Sequence, residues 1–99
     1  MYRPLPHYLT IKKSGIEGLG LFAKRKLYDG TFLGISHVKD DSFEDGYIRT
    51  PLGGFINHSD NPNCEWYTDG RVIKLRTIKD ISLGEELTLK YKWYEPNNE

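Results

Sequence analysis

The sequence predicts a small, mostly β domain, and three observations support that fold class. No segment carries an apolar period of about 3.6 residues over a helical length, so long helices are not expected. Short runs rich in β-branched and aromatic residues are separated by glycine, proline and Asp-Gly, which is the pattern of successive strands and turns. The chain has 99 residues, which suits one domain with a limited core, and no repeat or linker divides it.

The strands follow from local composition, taken in chain order. A glycine-rich turn over residues 14–20 follows the first apolar run, and Asp29-Gly30 marks the turn before the third. Pro51 and Gly53 end a short run that begins at Tyr47. The polar, acidic stretch 36–46 is expected to be a solvated face. The predicted strands are residues 8–13, 21–23, 31–35, 47–50, 64–68, 71–77 and 85–91.

The clearest hairpin in the sequence is centred on Asp69-Gly70. Asp-Gly favours a two-residue type I′ turn because both central residues of that turn have positive φ. Alternation along the second arm places Ile73 and Leu75 on one face, which we expect to point inward.

Residues 54–64 combine an apolar lead-in with a polar turn. Phe55 and Ile56 directly precede Asn57, and the polar run is closed by Pro62. Short polar side chains bond readily to nearby backbone, so the stretch predicts a packed segment that ends in a hydrogen-bonded turn. From these residues alone, a turn without chemistry and a functional turn are equally compatible.

Composition excludes several classes of protein. Lys plus Arg equals Asp plus Glu at 14 each, and this balance argues against non-specific nucleic-acid binding, although it leaves a local basic patch open. The lone Cys64 excludes an internal disulfide and a cysteine-rich zinc cluster. No apolar run approaches the roughly 20 residues of a membrane helix, and the first residues are unlike a signal peptide. We therefore expect an intracellular protein without a membrane segment.

Three motifs occur in an order that resembles a known family. They are Gly-Leu-Gly-Leu-Phe-Ala at 18–23, Asn-His-Ser-x-x-Pro-Asn at 57–63, and Gly-Glu-Glu-Leu-Thr-x-x-Tyr at 84–91. Together they resemble the SET domain, the family of S-adenosylmethionine-dependent protein-lysine methyltransferases. The resemblance covers residues 8–94, so the whole chain, 1–99, is expected to form a single minimal SET domain.

The resemblance implies a fold of small curved sheets in which the C-terminal segment threads beneath a loop. Such threading would bring the Asn-His-Ser stretch beside the final tyrosine. Only about twenty residues, 36–54, stand where the family carries a variable insert, and the cysteine-rich zinc segment that often follows the last tyrosine is missing. The short insert predicts low peptide selectivity, or a groove completed by a second subunit; dimerisation stays open.

The resemblance also implies which residues form the site. Tyr91 matches the catalytic tyrosine that orients the substrate amine, and a core tyrosine is the alternative. For His58 the alternative is a structural histidine, and for Trp93 and Tyr94 it is core packing. The implied cofactor-binding residues are Gly18, Leu19, Gly20, Asn57, His58 and Trp93, and the implied substrate channel is Leu89, Tyr47 and Tyr94.

The chemistry places few demands on the protein. Methyl transfer needs a neutral amine, and an aromatic channel lowers the lysine pKa from about 10.4 by disfavouring the charged form. Alignment of the reacting atoms then supplies much of the acceleration, so neither a metal nor an acidic base is expected. Glu86 is predicted to make structural hydrogen bonds. Ser36 stands where many members have a second channel tyrosine, which makes the channel less aromatic.

Three functions compete at this stage. The first is a lysine methyltransferase that uses S-adenosylmethionine and acts on a protein or peptide. The second is a degenerate SET fold that binds a partner without catalysis, and the third is a small β interaction module. Retention of Asn57, His58 and Tyr91 favours the enzyme.

Overall fold

The computed structural model describes residues 5–42 and 46–90, and its elements are short strands joined by tight turns. Tyr91, Trp93 and Tyr94 lie outside the described residues. In chain order the elements are β1 (Leu9–Lys13), β2 (Leu19–Ala23), β3 (Phe32–Lys39), β4 (Tyr47–Arg49), α1 (Pro51–Phe55), β5 (Asn57–His58), β6 (Cys64–Asp69), β7 (Val72–Thr77) and β8 (Glu86–Leu89). The mostly β prediction is confirmed.

The strands form one curled sheet in the order β1-β2-β8-β6-β7-β3-β4, with β5 paired to β8 outside that path. The third strand is longer than expected, because Ser36 and His37 continue it into the polar stretch and are buried. Ser36 Oγ donates to the carbonyl of Ile73 at 3.3 Å, so the buried hydroxyl is satisfied within the sheet.

The final strand passes between two segments that are joined by a loop. Leu89 of β8 pairs in parallel with both His58 of β5 and Cys64 of β6. Each edge of a strand accommodates one ladder, so β5 and β6 lie on opposite sides of this end of β8. Residues 59–63 connect β5 to β6 and therefore cross over β8. This is the threaded arrangement that the family resemblance implies.

One short helix replaces the simple stop expected around Pro51. Helix α1 begins with Thr50 as its N-cap, whose Oγ1 accepts from the backbone N–H of Gly53 at 3.3 Å, and with Pro51 in its first turn. A Cβ on Gly53 would collide with the backbone carbonyl of Ser36, so the glycine lets the helix lie against β3. Five residues are too few to produce a helical period in the sequence.

The hairpin turn lies one residue later than its predicted position. Asp69 pairs with Val72 and belongs to β6, so Gly70 and Arg71 are the turn residues. Gly70 has φ of +64°, and no non-glycine residue in the described ranges has positive φ. The type I′ prediction is therefore wrong, and positive φ at the first central residue alone fits type II′. Ile73 and Leu75 are buried, as the alternation predicted.

The core lies between the curled strands and α1. Leu21, Leu75, Ile81 and Leu87 are completely buried. Ile56, just after α1, is 2% exposed, and Phe55 packs against the same core from a half-buried position. In the described part of the chain, no helix has the length and apolar character of a membrane span.

Candidate functional site

A polar cluster forms where β5 lies beside β8. Parallel pairing places Asn57 opposite Thr88, and the turn between β1 and β2 reaches the same point from the other side. We call Ser14, Gly20, Asn57 and Glu86 the Asn57 cluster. The three motifs of the sequence thus meet in space, although residues 14 and 86 are 72 positions apart along the chain.

The carboxamide of Asn57 is oriented by a set of acceptors. Its Nδ2 lies 2.9 Å from Glu86 Oε2, 3.1 Å from Ser14 Oγ, 3.1 Å from the carbonyl of Glu17 and 3.3 Å from the carbonyl of Leu19. Only the NH₂ side of an amide can satisfy acceptors, so this side faces the β1–β2 turn. None of the described residues donates a hydrogen bond to Asn57 Oδ1. That oxygen is available to a ligand.

The carboxylate of Glu86 accepts the hydrogen bonds that keep this arrangement in place. Ser14 Oγ donates to its two carboxylate oxygens, each at 2.9 Å, and accepts the backbone N–H of Ile16 at 2.8 Å. The carboxylate therefore fixes both the turn after β1 and the amide of Asn57. These contacts agree with the structural hydrogen bonds predicted for Glu86.

The two motif glycines serve different purposes within the protein. A Cβ on Gly20 would collide with the carboxylate of Glu86 and would lie 3.1 Å from Asn57 Nδ2. Gly18 has φ of +51° with open space around it, so the turn conformation requires that glycine. That these glycines let the protein backbone approach the cofactor closely stays a prediction, because the contacts at Gly20 and the φ of Gly18 already explain each glycine within the protein. The side chain of Leu19 between them is 51% exposed.

His58 follows Asn57 on β5 and is half-buried. Its Nε2 lies 3.2 Å from Oδ1 of the exposed Asp60, so the ring is turned toward the loop that crosses β8. A structural histidine and a cofactor-binding histidine both fit this position.

Asn63 is a residue whose role the sequence did not reveal. It is 5% exposed, and its Oδ1 accepts the N–H of Thr88 at 2.8 Å while its Nδ2 donates to the carbonyl of Glu86 at 2.9 Å. The side chain thereby replaces a neighbouring strand along part of β8. The only sequence signal was the Pro62-Asn63 pair that closes the motif.

The implied channel residues are placed only in part. Leu89 is 1% exposed, belongs to the core, and borders a pocket of about 200 Å³ beside Trp66. Tyr47 on β4 meets His37 edge-on with ring centres 6.1 Å apart, and His37 meets Trp66 edge-on at 5.5 Å. His37 and Trp66 thus connect Tyr47 to the pocket at Leu89. Sequence reasoning missed both, since neither belongs to a motif. Tyr91, Trp93 and Tyr94 lie beyond the described ranges.

The described residues contain no cluster of metal ligands, and their one thiol is protonated at neutral pH. Within residues 5–42 and 46–90, no three His, Cys, Asp or Glu side chains lie close enough to hold a metal ion. Burial raises the pKa of Cys64 to about 12, and the Glu85 carboxylate adds to this effect, so the thiol is protonated at neutral pH.

Comparison with known proteins agrees with this geometry. The sequence pattern of the SET domain matches residues 36–92, more than half of the chain. The chain belongs to the SET domain family. The match includes the Asn-His-Ser and Glu-Glu-Leu motifs of β5 and β8.

Curated relatives and solved structures extend the similarity. The chain is 37% identical over 99 residues to an H3 lysine-36 specific histone-lysine N-methyltransferase of Aspergillus oryzae, an alignment that covers 87% of this SET domain and 10% of the relative. It spans at most 23% of the length of the first curated relatives that it matches.

Two solved structures have the same fold. A humanized mutant of the Chaetomium thermophilum Polycomb Repressive Complex 2 bound to the inhibitor GSK126 superposes with a TM-score of 0.72 at 26% identity, covering 91% of this chain and 15% of that one. The methyltransferase domain of human PR domain-containing protein 2 gives a TM-score of 0.66 at 19% identity, over 89% and 79% of the two chains.

Proposed function

We propose that this chain, as a single minimal SET domain, transfers a methyl group from S-adenosylmethionine to a lysine side chain of a protein. The observation that carries the proposal is the oriented carboxamide of Asn57, whose Oδ1 receives no hydrogen bond from the described residues. Membership in the SET family and the methyltransferase names of its relatives support the same activity.

The Asn57 cluster fits the amino-acid end of that cofactor. An α-ammonium group donates hydrogen bonds only, so it needs acceptors, and Asn57 Oδ1 is one. The Glu86 carboxylate lies on the other side of the same amide and favours a positive ligand. Main-chain atoms around His58 and the ring of Trp93 are the proposed partners of the adenine.

S-Adenosylmethionine supplies, when bound, a methyl group activated by its positively charged sulfur. The chain then has to position the reacting groups and to exclude water from them. Tyr91 is the proposed catalytic residue, with its hydroxyl holding the substrate amine in line. Leu89, Tyr47 and Tyr94 are the proposed channel, whose apolar and aromatic surfaces favour the neutral amine that the transfer requires.

Calorimetry with two ligands tests how the cofactor is held. S-Adenosylhomocysteine carries the α-ammonium, whereas methylthioadenosine lacks the amino-acid end. We expect Asn57→Ala and Glu86→Ala to bind the first ligand roughly 10- to 100-fold more weakly, because a hydrogen bond to a charged group is lost or misdirected. Their affinity for methylthioadenosine should be unchanged, and Glu65→Ala on β6 serves as a matched carboxylate control.

Two outcomes of the titration would contradict the proposal in different ways. If the folded wild-type chain bound neither ligand, the proposal that it uses S-adenosylmethionine would be wrong. Equal losses for both ligands would show that Asn57 and Glu86 support the fold in general and do not recognise the ammonium.

A Tyr91→Phe variant tests the transfer step. Without the hydroxyl we expect methyl transfer to fall by about 10²-fold, since small misplacements of reacting groups have effects of that size. Binding of S-adenosylhomocysteine should be unchanged. Transfer of a radioactive methyl group is measured first on histone H3, because the Aspergillus relative is described as specific for lysine 36 of that histone. Unchanged turnover in Tyr91→Phe would place catalysis elsewhere.

A further inference from the structure

A second candidate site lies at the opposite end of the β1–β2 hairpin. It is a cleft of about 370 Å³ beside the backbone hydrogen bond from Lys24 N to Tyr8 O, at 2.8 Å, just past the last pair of the two strands. Four residues of extended chain separate Gly20 of the Asn57 cluster from Lys24, a distance of about 13 Å. The residues that line the cleft are Tyr8, Arg25, Lys26, Leu27, Tyr28 and Thr31.

The cations at this cleft form no ion pairs in the described part of the chain, although two carboxylates border it: Asp29 follows Tyr28, and Asp80 Oδ1 accepts the N–H of Asp29 at 2.9 Å. Arg25 and Lys26 line it, and Lys24 adjoins it; among the described residues these three cations form no ion pair. Elsewhere on the surface, Lys74 pairs with Asp69 at 2.6 Å, and Arg76 pairs with Glu65 at the same distance. A chain with zero formal charge therefore presents, within its described ranges, three cations without ion pairs beside one cleft.

Aromatic rings form part of the same wall. The guanidinium of Arg25 lies 4.9 Å from the ring centre of Tyr8, and the ammonium of Lys26 lies 5.1 Å from that of Tyr28. The hydroxyl of Tyr8 donates to the carbonyl of Phe32 at 2.9 Å, which fixes this ring. Tyr28 is 65% exposed, so a large part of its ring faces solvent. The cleft thus combines unpaired cations with an accessible aromatic surface.

We propose that this cleft binds single-stranded nucleic acid. Phosphates would contact Lys24, Arg25 and Lys26, and an unpaired base would stack on Tyr28, the combination that single-strand binding proteins use. A double helix fits less well, because reading a groove requires a projecting helix or ribbon and the cleft is concave. An acidic polypeptide would need only the cations and would make no use of the exposed part of the Tyr28 ring.

This inference revises an expectation drawn from the total charge. Charge balance argued against nucleic-acid binding, but it described the whole chain and not the arrangement of its ion pairs. The binding itself is independent of methyl transfer. If the chain is also the proposed methyltransferase, nucleic-acid binding at the cleft indicates a class of substrate, namely proteins that are themselves bound to nucleic acid.

Fluorescence anisotropy with a labelled oligothymidylate of about 20 nucleotides tests the proposal at about 50 mM salt. We expect the double variant Arg25→Gln/Lys26→Gln to bind at least about tenfold more weakly, and the slope of log K against log salt to shrink by about 1.4. The matched control is Lys74→Gln/Arg76→Gln, which removes the same charge from paired positions and should change affinity less than about twofold. Tyr28→Phe should bind as the wild type, and Tyr28→Ser several-fold more weakly.

Three results would overturn the proposal. One is absence of oligonucleotide binding by the wild-type chain. Another is an equal loss of affinity in the control pair, which would attribute binding to net charge alone. The third is displacement of the oligonucleotide by polyglutamate of matched charge at equal concentration, which would assign the cleft to acidic polypeptides. Titration of the same samples with S-adenosylhomocysteine tests the proposed methyltransferase separately.

Discussion

The Asn57 cluster and the outer face of the β6–β7 hairpin both contain hydrogen-bonded polar and charged side chains, but they differ in how far apart the bonded residues lie along the chain. In the Asn57 cluster, Ser14 reaches Glu86 across 72 positions and Asn57 reaches Ser14 across 43. On the outer face of the β6–β7 hairpin, Lys74 bonds Asp69 across only 5 positions. The cluster is partly buried and exists only once distant segments have met, whereas the hairpin ion pair needs a single local turn.

The difference shows where polar contacts control the structure. Exposed ion pairs compete with water and salt and therefore add little to the free energy of unfolding. Buried hydrogen bonds are costly to leave unmade, because the partner group loses water and gains nothing. The region where β8 threads beneath residues 59–63 should consequently be sensitive to single polar changes, and the outer face of the hairpin tolerant.

The largest effect is expected for Asn63→Ala, beneath the loop. The change leaves the buried N–H of Thr88 and the part-buried carbonyl of Glu86 without their partner, which should lower the free energy of unfolding by about 2–4 kcal/mol. Urea denaturation measures it. Asn61→Ala in the same loop is the control, because Asn61 is exposed, and should stay within about 0.5 kcal/mol of wild type. If both variants changed the free energy of unfolding by similar amounts, the special sensitivity expected where β8 threads beneath the loop would be contradicted.

An intermediate effect is expected for Gly20→Ala, which drives a Cβ against the carboxylate of Glu86. We expect about 1–3 kcal/mol of destabilisation from this overpacking. Gly15→Ala in the preceding turn meets open space and should be near neutral.

Combination with Glu86→Ala sharpens the assignment of that clash. Since this second change removes the obstructing carboxylate, the double variant should be less destabilised than the sum of the two single variants. Strictly additive free energies in urea denaturation would indicate that Gly20 is required for another reason.

A small effect is expected on the outer face. Arg76→Gln breaks the 2.6 Å contact with Glu65, where both side chains are more than 40% exposed, and should cost less than about 1 kcal/mol. The loss should shrink further as salt is added, which thermal unfolding at two ionic strengths would measure. A loss comparable to that of Asn63→Ala would contradict the ranking of the two regions.

The smallest effect on stability near neutral pH is expected from the ionisation of Cys64. Its pKa of about 12, raised by burial, keeps the thiol neutral, so a thiol reagent at pH 8 should label the native protein only on unfolding. A raised pKa contributes stability that is complete below the unfolded value near 9 and is lost as the pH rises toward about 12. Rapid labelling of native protein at pH 8 would show that the region beneath the loop opens readily.

Local sequence predicted much of the fold. Seven of the eight described strands, the inward face of β7 and the lack of long helices in the described residues were predicted, because alternation and turn residues act over a few positions. The two-residue strand β5 was not predicted, and β3 extends four residues further than expected. The turn at Gly70 was misplaced by one residue, since both registers are compatible with Asp-Gly and only pairing with the rest of β6 selects one. Helix α1 was missed because one capped turn leaves no period to detect.

For the candidate site, the sequence by itself determined the residue types: the three motifs, the glycines and the polar run after Ile56 were all visible in it. Only the tertiary structure decided how they are used. It showed that Gly20 makes room for Glu86, that Glu86 and Ser14 orient Asn57, and that Asn63 takes the place of a strand beside β8. It also separated the paired cations of β7 from the unpaired ones at the cleft. The physical reason is that the type of each motif residue can be read directly from the sequence. Its hydrogen bonds and ion pairs depend instead on which distant segments the threaded fold brings within about 3 Å.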